Sequence, residues 1–526
     1  MFQKLKTLFT NLTIYGMGDV ATSIVSFLLL PIFVRFLSKV DYGIWALLLM
    51  VELVAKIVFR WGIDASFMRL YYDCETHGAR QRLASTIFFF LFAVNGGLLV
   101  AALLSAPWMS DRLFGVPGQT PVLEIVLVNT FIGGFFFIPF HVLRIKQKAR
   151  TFSGLTFFRS ASTLIVRLVL VVGLHYGVLG LALADLVVTL AFTFMLMRWF
   201  APLIRPVFSR PVLAEALRFG LPRVPHGVAQ QVIGPGTDSY LLRLLLREPH
   251  AAALADIGVY SIGASFGLGL KLFLSAFEYA WAPFYFETMG QPDAKRTFSG
   301  MTTYSLAVLV LLAAGLSAVS GDLVRLMTRP DFYAASRVIP WIAMGVTLQG
   351  VYLLTSIGLN ITKHTEYYPV AAGVAAAVNV GANVVLIPRL GILGPAWSNV
   401  ISYAVLAGLS LCFSQRFYPI RYERARLAKV AGSGLACYFV AAHLLPPIHS
   451  AIAGLLVRGT VVAVGLPLLL ALTGFFRAGE LDRLRSTTAA LRFGRAPKPG
   501  TVTAHVAGDA AGPIDTGLTG RTNVGD

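Results

Sequence analysis

About fourteen apolar runs of roughly 20 residues, separated by charged or Pro/Gly-rich loops, constrain this chain more than any motif does. Lipid offers no partner to an unpaired backbone N–H or C=O, so a run of that length crosses a hydrocarbon layer of about 30 Å as a helix. The runs fall at 12–34, 43–67, 84–106, 122–143, 155–175, 178–199, 219–242, 257–284, 301–320, 338–360, 367–387, 391–414, 430–447 and 451–476. They predict an all-α, polytopic membrane protein. Composition agrees, with 56% hydrophobic and 13% charged residues, where soluble domains carry about 25% charged. The formal charge of +19 is therefore read as membrane topology and not as a nucleic-acid footprint. The three cysteines, Cys74, Cys412 and Cys437, are widely spaced and give neither a disulfide framework nor a zinc pattern.

The basic residues set an expected orientation. With the N-terminus in the cytoplasm, the loops and ends on that side hold about 28 of the 44 Lys and Arg, the opposite loops about 9 and the spans about 7. Residues 144–150 (RIKQKAR) and 421–429 (RYERARLAK) are the clearest cytoplasmic loops. The opening MFQKLKTLFT lacks a short apolar stretch ending in a small-residue cleavage site, so the first span is expected to be retained. From about residue 477 the chain is rich in Gly, Ala, Thr and Pro, the composition of a disordered tail.

The chain also repeats itself. Residues 41–45 (DYGIW) return 215 positions later as 256–260 (DIGVY), and 177–182 (GVLGLA) return 214 later as 391–396 (GILGPA). Lys148 falls on Lys363, and Lys56 on Lys271, at an offset of 215. Six spans separate the copies. Six is even, so both copies share one orientation, as in a parallel repeat about an axis along the membrane normal. The expected organisation is an N-terminal six-helix lobe (1–200), a linker (201–218), a C-terminal six-helix lobe (219–414), two further helices (415–476) and the tail (477–526).

Four stretches carry a family resemblance: FLLLPIFVRFLSKVDYGIWAL (27–47), FGLPRVPHGVAQQVIGPGTDSYLL (219–242), DIGVYSIGASFGLGLKL (256–272) and LIPRLGILGPAWSNVISY (386–403). With them the chain resembles, over roughly residues 10 to 475, the polysaccharide-biosynthesis flippases of the multidrug/oligosaccharidyl-lipid/polysaccharide (MOP) exporter superfamily. One departure is that Asp238 is followed by Ser239, where the family often has Asp-Arg. The resemblance implies two MATE-like six-helix bundles around a central cavity, lined largely by the first, second, seventh and eighth spans. It also implies movement of a lipid-linked saccharide across a bacterial inner membrane by alternating access.

Ionisable groups within spans point to the site, because each is costly at bilayer depth unless it faces a cavity or a partner. The basic set is Lys56, Arg60, Arg159, Arg167, Arg223, Lys271 and Arg458; the acidic set is Asp19, Glu52, Asp64, Glu124, Asp185, Asp238 and Glu278. On one helix, Glu52, Lys56, Arg60 and Asp64 form a stripe about 18 Å long. Pairs Glu52–Lys56 and Arg60–Asp64 explain how the charges are tolerated. They do not explain the repeat mate of Lys56. Lys56, Arg60, Lys271 and Arg223 are thus the expected lining of a cationic cavity for a pyrophosphate. Arg167 and Asp185 are expected to pair across a tight connection. Asp19, Asp238 and Glu278 are candidates for H+ or Na+ coupling. His226, in LPRVPHGVAQ, is a candidate hinge and not a metal ligand.

The leading expectation is a flippase for a polyprenyl-pyrophosphate-linked oligosaccharide, acting as a monomer with both termini cytoplasmic. It needs no cofactor and no nucleic acid, and works beside polysaccharide assembly machinery. The alternatives are a MATE-type drug/cation antiporter, disfavoured by a basic cavity, and a lipid II flippase. A membrane glycan polymerase is a further alternative, but the outer loops near 107–121, 243–256 and 321–337 are short and no catalytic motif is present, so the chain is read as not an enzyme.

Overall fold

Helix α1 (Lys39–Arg60) shows how local sequence sets the architecture. Its start is closed by a capping box: the Asp41 N–H donates to Ser38 Oγ (3.1 Å) and the Asp41 carboxylate accepts from the Ser38 N–H (2.8 Å). Two N–H groups that a helix start leaves orphaned are thereby satisfied. After Arg60 the helix stops. Trp61 and Gly62 take left-handed backbone angles (φ 50° and 67°), and the chain resumes as α2 (Ile63–Asp73). The sequence predicts one helix over 43–67; Asn95 stabilises the break instead. Its Nδ2 donates to Phe59 O at 2.7 Å and its Oδ1 accepts from Trp61 Nε1 at 3.0 Å. A carbonyl freed inside a membrane needs such a partner.

The computed structural model describes residues 29–146, 148–221, 231–446 and 448–477, with residues 25, 27, 224 and 228. The chain continues as α3 (His77–Leu113), α4 (Thr120–Ile145), α5 (Arg150–Gly173), α6 (Gly177–Leu203), α7 (Arg210–Gly220), α8 (Pro235–Leu245), α9 (His250–Leu268) and α10 (Leu270–Thr288). It ends with α11 (Ala294–Met327), α12 (Pro330–Ile361), α13 (Tyr367–Leu390), α14 (Leu393–Phe417), α15 (Arg424–Leu444) and α16 (Ala451–Leu472). Twelve of these, all but α2, α7, α8 and α10, are long and apolar enough to cross a membrane, and no strand occurs among the described residues. Each of the twelve coincides with one expected span. Of the other two, 12–34 runs largely outside the described residues, whereas 219–242 is not one helix: α7 ends at Gly220 and α8 begins only at Pro235, with seven of the intervening residues outside the described ones. Asp19, Arg223, His226 and the tail beyond 477 also lie outside the described residues. The chain is a multi-pass helical membrane protein. Met1–Thr473 make one compact unit, and Gly474–Asp526 a second.

The repeat is visible as packing. Helices α1 and α9 carry the two copies of the first motif and cross at it. A Cβ added to Gly43 would lie 1.9 Å from Leu254 O, and one added to Gly258 would lie 2.0 Å from Lys39 O. Shifting 39 and 43 by 215 gives 254 and 258, so each contact is the image of the other, as a two-fold axis between the helices requires. Only glycine permits this approach. The second motif also repeats its backbone. Gly177 and Gly391 have φ of 55° and 56°. Three residues on, Gly180 and Gly394 press against the preceding segment, at Val171 and Ile387. The two lobes are pseudo-symmetric. The copies of the aspartate differ, however: Asp41 caps α1, whereas Asp256 lies inside α9.

Helices α15 and α16 lie beyond the repeat and dock on α11. Arg458 of α16 pairs with the fully buried Asp322. Arg426 of α15 donates to Tyr304 Oη and to Glu423, both at 2.9 Å.

Candidate functional site

Helices α1, α4, α5 and α6 enclose two adjoining polar cavities of 430 and 400 Å³, each within the size range of small-molecule sites, about 300–1,000 Å³. They share Glu52, Asn129, Phe140, Phe152 and Arg159 as walls, so they form one continuous site. The α1 stripe lines it. Among the described residues, five bases face this space (Lys56, Arg60, Arg144, Arg159, Arg167) against three acids (Glu52, Asp64, Asp185), a formal excess of two positive charges.

The pairing explains where that excess sits. Lys56 Nζ lies 2.5 Å from Glu52, and Arg60 lies 3.7 Å from Asp64 across the α1–α2 break. Arg167 holds Asp185 in a two-pronged pair, Nε to Oδ1 at 3.0 Å and Nη2 to Oδ2 at 2.7 Å. Each acid thus lies within ion-pair distance of a base. Arg144 and Arg159 have no ion-pair partner among the described residues. Each instead rests on an aromatic face, Arg144 over Phe152 and Arg159 over Phe136, both 4.7 Å from the ring centroid. A ring face attracts a cation by about 0.5–2 kcal/mol without cancelling its charge. The guanidinium forks therefore remain free to receive a phosphate-type anion.

The other expected site residues lie elsewhere. Lys271 borders a small void with Pro235, Ile342, Asn399 and Tyr403, whereas Lys56 lines the larger polar cavity. The two repeat copies break at different points. The C-terminal copy changes helix at Gly269, two residues before Lys271, whereas α1 runs on to Arg60. Glu278 is exposed on α10 and makes no ion pair among the described residues. Arg223 and Asp19 lie outside the described residues. Sequence reasoning left Arg144 as a topology determinant and gave Arg159 no role. The available signal was that Arg159 and Arg167 stand eight residues apart, near one face of a single span.

Asp238 is the second feature. Its side chain is 0% exposed at the head of α8. It accepts hydrogen bonds from Tyr260 Oη (2.6 Å), Asn399 Nδ2 (2.6 Å) and, more loosely, Asn383 Nδ2 (3.4 Å). Every donor is neutral, and Asn383 Oδ1 has no hydrogen-bond partner among the described residues. A carboxyl group buried among carboxamides and a phenol, with no basic side chain bonded to it, has the chemistry to hold a proton or a small cation.

Comparison with known proteins places this geometry. Residues 32–241 match the family model described as polysaccharide biosynthesis protein. No curated protein sequence matches significantly. Among solved structures, the chain is similar to the lipid II flippase MurJ in an inward closed conformation (TM-score 0.63, 15% identity, 90% of this chain and 99% of that one). It is also similar to an inward-facing multidrug resistance MATE family transporter of the MOP superfamily (TM-score 0.54, 14% identity, 81% of this chain and 99% of that one). At such identities the likeness establishes the fold, which is the two-lobed fold of MOP exporters.

Proposed function

For a chain with the polysaccharide-biosynthesis signature on the MOP exporter fold, we propose a flippase that moves a polyprenyl-pyrophosphate-linked saccharide from the cytoplasmic to the outer leaflet of a bacterial inner membrane. Both termini are cytoplasmic in this reading, the protein acts as a monomer beside polysaccharide assembly machinery, and it works as a carrier and not as an enzyme. The observation that carries the reading is the cavity's positive excess, concentrated on Arg144 and Arg159. A lipid pyrophosphate must have its charge met as its head group leaves water, and two unpaired guanidiniums meet it. A MATE-type antiporter of cationic drugs would face repulsion in the same cavity. A lipid II flippase asks for the same chemistry, so substrate choice separates the two.

Coupling is assigned to Asp238, where a proton or Na+ offsets a charge that three neutral donors only partly satisfy. Asp19 and Glu278 remain secondary candidates, and Lys271 and Arg223 remain candidates for the same cationic path. The test is a binding panel on purified protein in nanodiscs: a polyprenyl-pyrophosphate saccharide, lipid II and a cationic dye. Preference for the first, competed by inorganic pyrophosphate, supports the reading. Preference for the dye refutes it, and preference for lipid II transfers the site to the rival substrate.

A further inference from the structure

The cationic cavity has an apolar neighbour. Helices α3, α4 and α6 leave between them a groove of 510 Å³, lined by Phe88, Phe92, Phe131, Phe135, Phe136 and Phe200. Its one hydroxyl, Thr193, is spent on Thr189 O at 2.7 Å. Phe92 and Met197, at its mouth, are 55% and 61% exposed, so the groove opens on a face that meets hydrocarbon. Interiors pack to the density of organic crystals. An aromatic groove of this size, open toward lipid, has room for a hydrocarbon chain.

Phe136 belongs to both compartments. It lines the groove and both faces of its surroundings are defined: apolar rings on one side, the Arg159 guanidinium 4.7 Å from its centroid on the other. It sits in a short 3₁₀ turn, Gly134–Phe136, that interrupts α4. Gly133 and Gly134 border the cationic cavity, and a Cβ on either would meet nothing within 4 Å. Phe136 thus lines both the anion site and the apolar groove, beside the side-chain-free Gly133–Gly134 backbone.

We infer that this groove holds the isoprenoid chain of the substrate while Arg159 holds its pyrophosphate; the inference rests on the flippase reading above. The adjacency matches a molecule whose charged head and branched hydrocarbon tail are joined directly. Depth matches as well, because the groove occupies the halves of α3, α4 and α6 nearer the basic loop 144–150, the side from which a lipid-linked precursor would enter. Methyl-bearing planar isoprene units stack on ring faces, which six phenylalanines supply.

Photolabelling of the full chain in phosphatidylethanolamine/phosphatidylglycerol nanodiscs tests this, with a polyprenyl pyrophosphate carrying a diazirine in an isoprene unit near the head. Label is expected on peptides containing 88–92 and 131–139. Unlabelled polyprenyl pyrophosphate should lower it about tenfold, as should Met197→Trp, which fills an exposed edge of the groove. Excess phosphatidylglycerol should not. Label on other helices, or equal displacement by phosphatidylglycerol (an ordinary bilayer lipid only), or no effect of Met197→Trp, overturns the inference. The readout is contact and not export. Groove labelling in a protein that moves no saccharide leaves the groove standing and removes the flippase reading; normal transport with labelling elsewhere does the reverse.

Discussion

Replacing Arg159 by Gln removes a cavity guanidinium that has no ion-pair partner among the described residues, and leaves a shorter, neutral amide. A hydrogen bond to a charged group contributes about 1.5–3 kcal/mol. Tenfold in affinity corresponds to about 1.4 kcal/mol, so Arg159→Gln should weaken polyprenyl pyrophosphate binding about 10- to 150-fold. Arg159→Lys keeps the charge but loses the planar fork, and should fall between. The contrast lies on α1, where Lys56 is 2.5 Å from Glu52. Glu52→Gln with Lys56→Gln leaves the formal excess at two, and should cost less than about tenfold. The assay is equilibrium binding of radiolabelled polyprenyl pyrophosphate to purified protein in nanodiscs, at low and high salt, with a thermal melt confirming the fold. Arg159→Gln should also flatten the salt dependence. Wild-type affinity in Arg159→Gln, together with lost affinity in the Glu52/Lys56 double variant, would refute the assignment of free charge to Arg159.

Three further outcomes follow from the geometry. Arg458→Leu strands the fully buried Asp322 and should destabilise by about 3–5 kcal/mol, whereas adding Asp322→Leu should restore most of the melting temperature in detergent. Gly43→Ala and Gly258→Ala each force a Cβ into a backbone carbonyl, so each should lower folded yield, by similar amounts because the two contacts are images across the repeat axis; a large difference between them would contradict that symmetry. Asp238→Asn should abolish the response of transport to an imposed ion gradient while leaving polyprenyl pyrophosphate binding close to wild type, since Asp238 does not line the cationic cavity.

The membrane fold was legible because lipid forces a one-to-one relation between long apolar runs and helices, and the twelve described spans fall where those runs lie. The repeat was legible because glycines at crossing points cannot drift: Gly43 and Gly258, and Gly177 and Gly391, keep their spacing for a geometric reason. The site was legible only in part. Spacing alone could pair Glu52 with Lys56, but it could not show that α1 ends at Arg60, since that break depends on Asn95 from another helix. Nor could it reveal that Arg144 and Arg159 converge on the α1 stripe. Their convergence is set by the packing of α4 and α5, which no local pattern encodes.

The most direct measurement is translocation itself. Purified protein reconstituted in proteoliposomes is supplied with a fluorescent polyprenyl-pyrophosphate saccharide in one leaflet, and its arrival in the other is followed by a membrane-impermeant quencher. Wild type is expected to move it. The Arg144→Gln/Arg159→Gln variant is expected to be inserted and folded but inactive, and a cationic dye is expected not to be transported. Dye movement without glycolipid movement, or full glycolipid movement by the double variant, would contradict a flippase built on these two arginines.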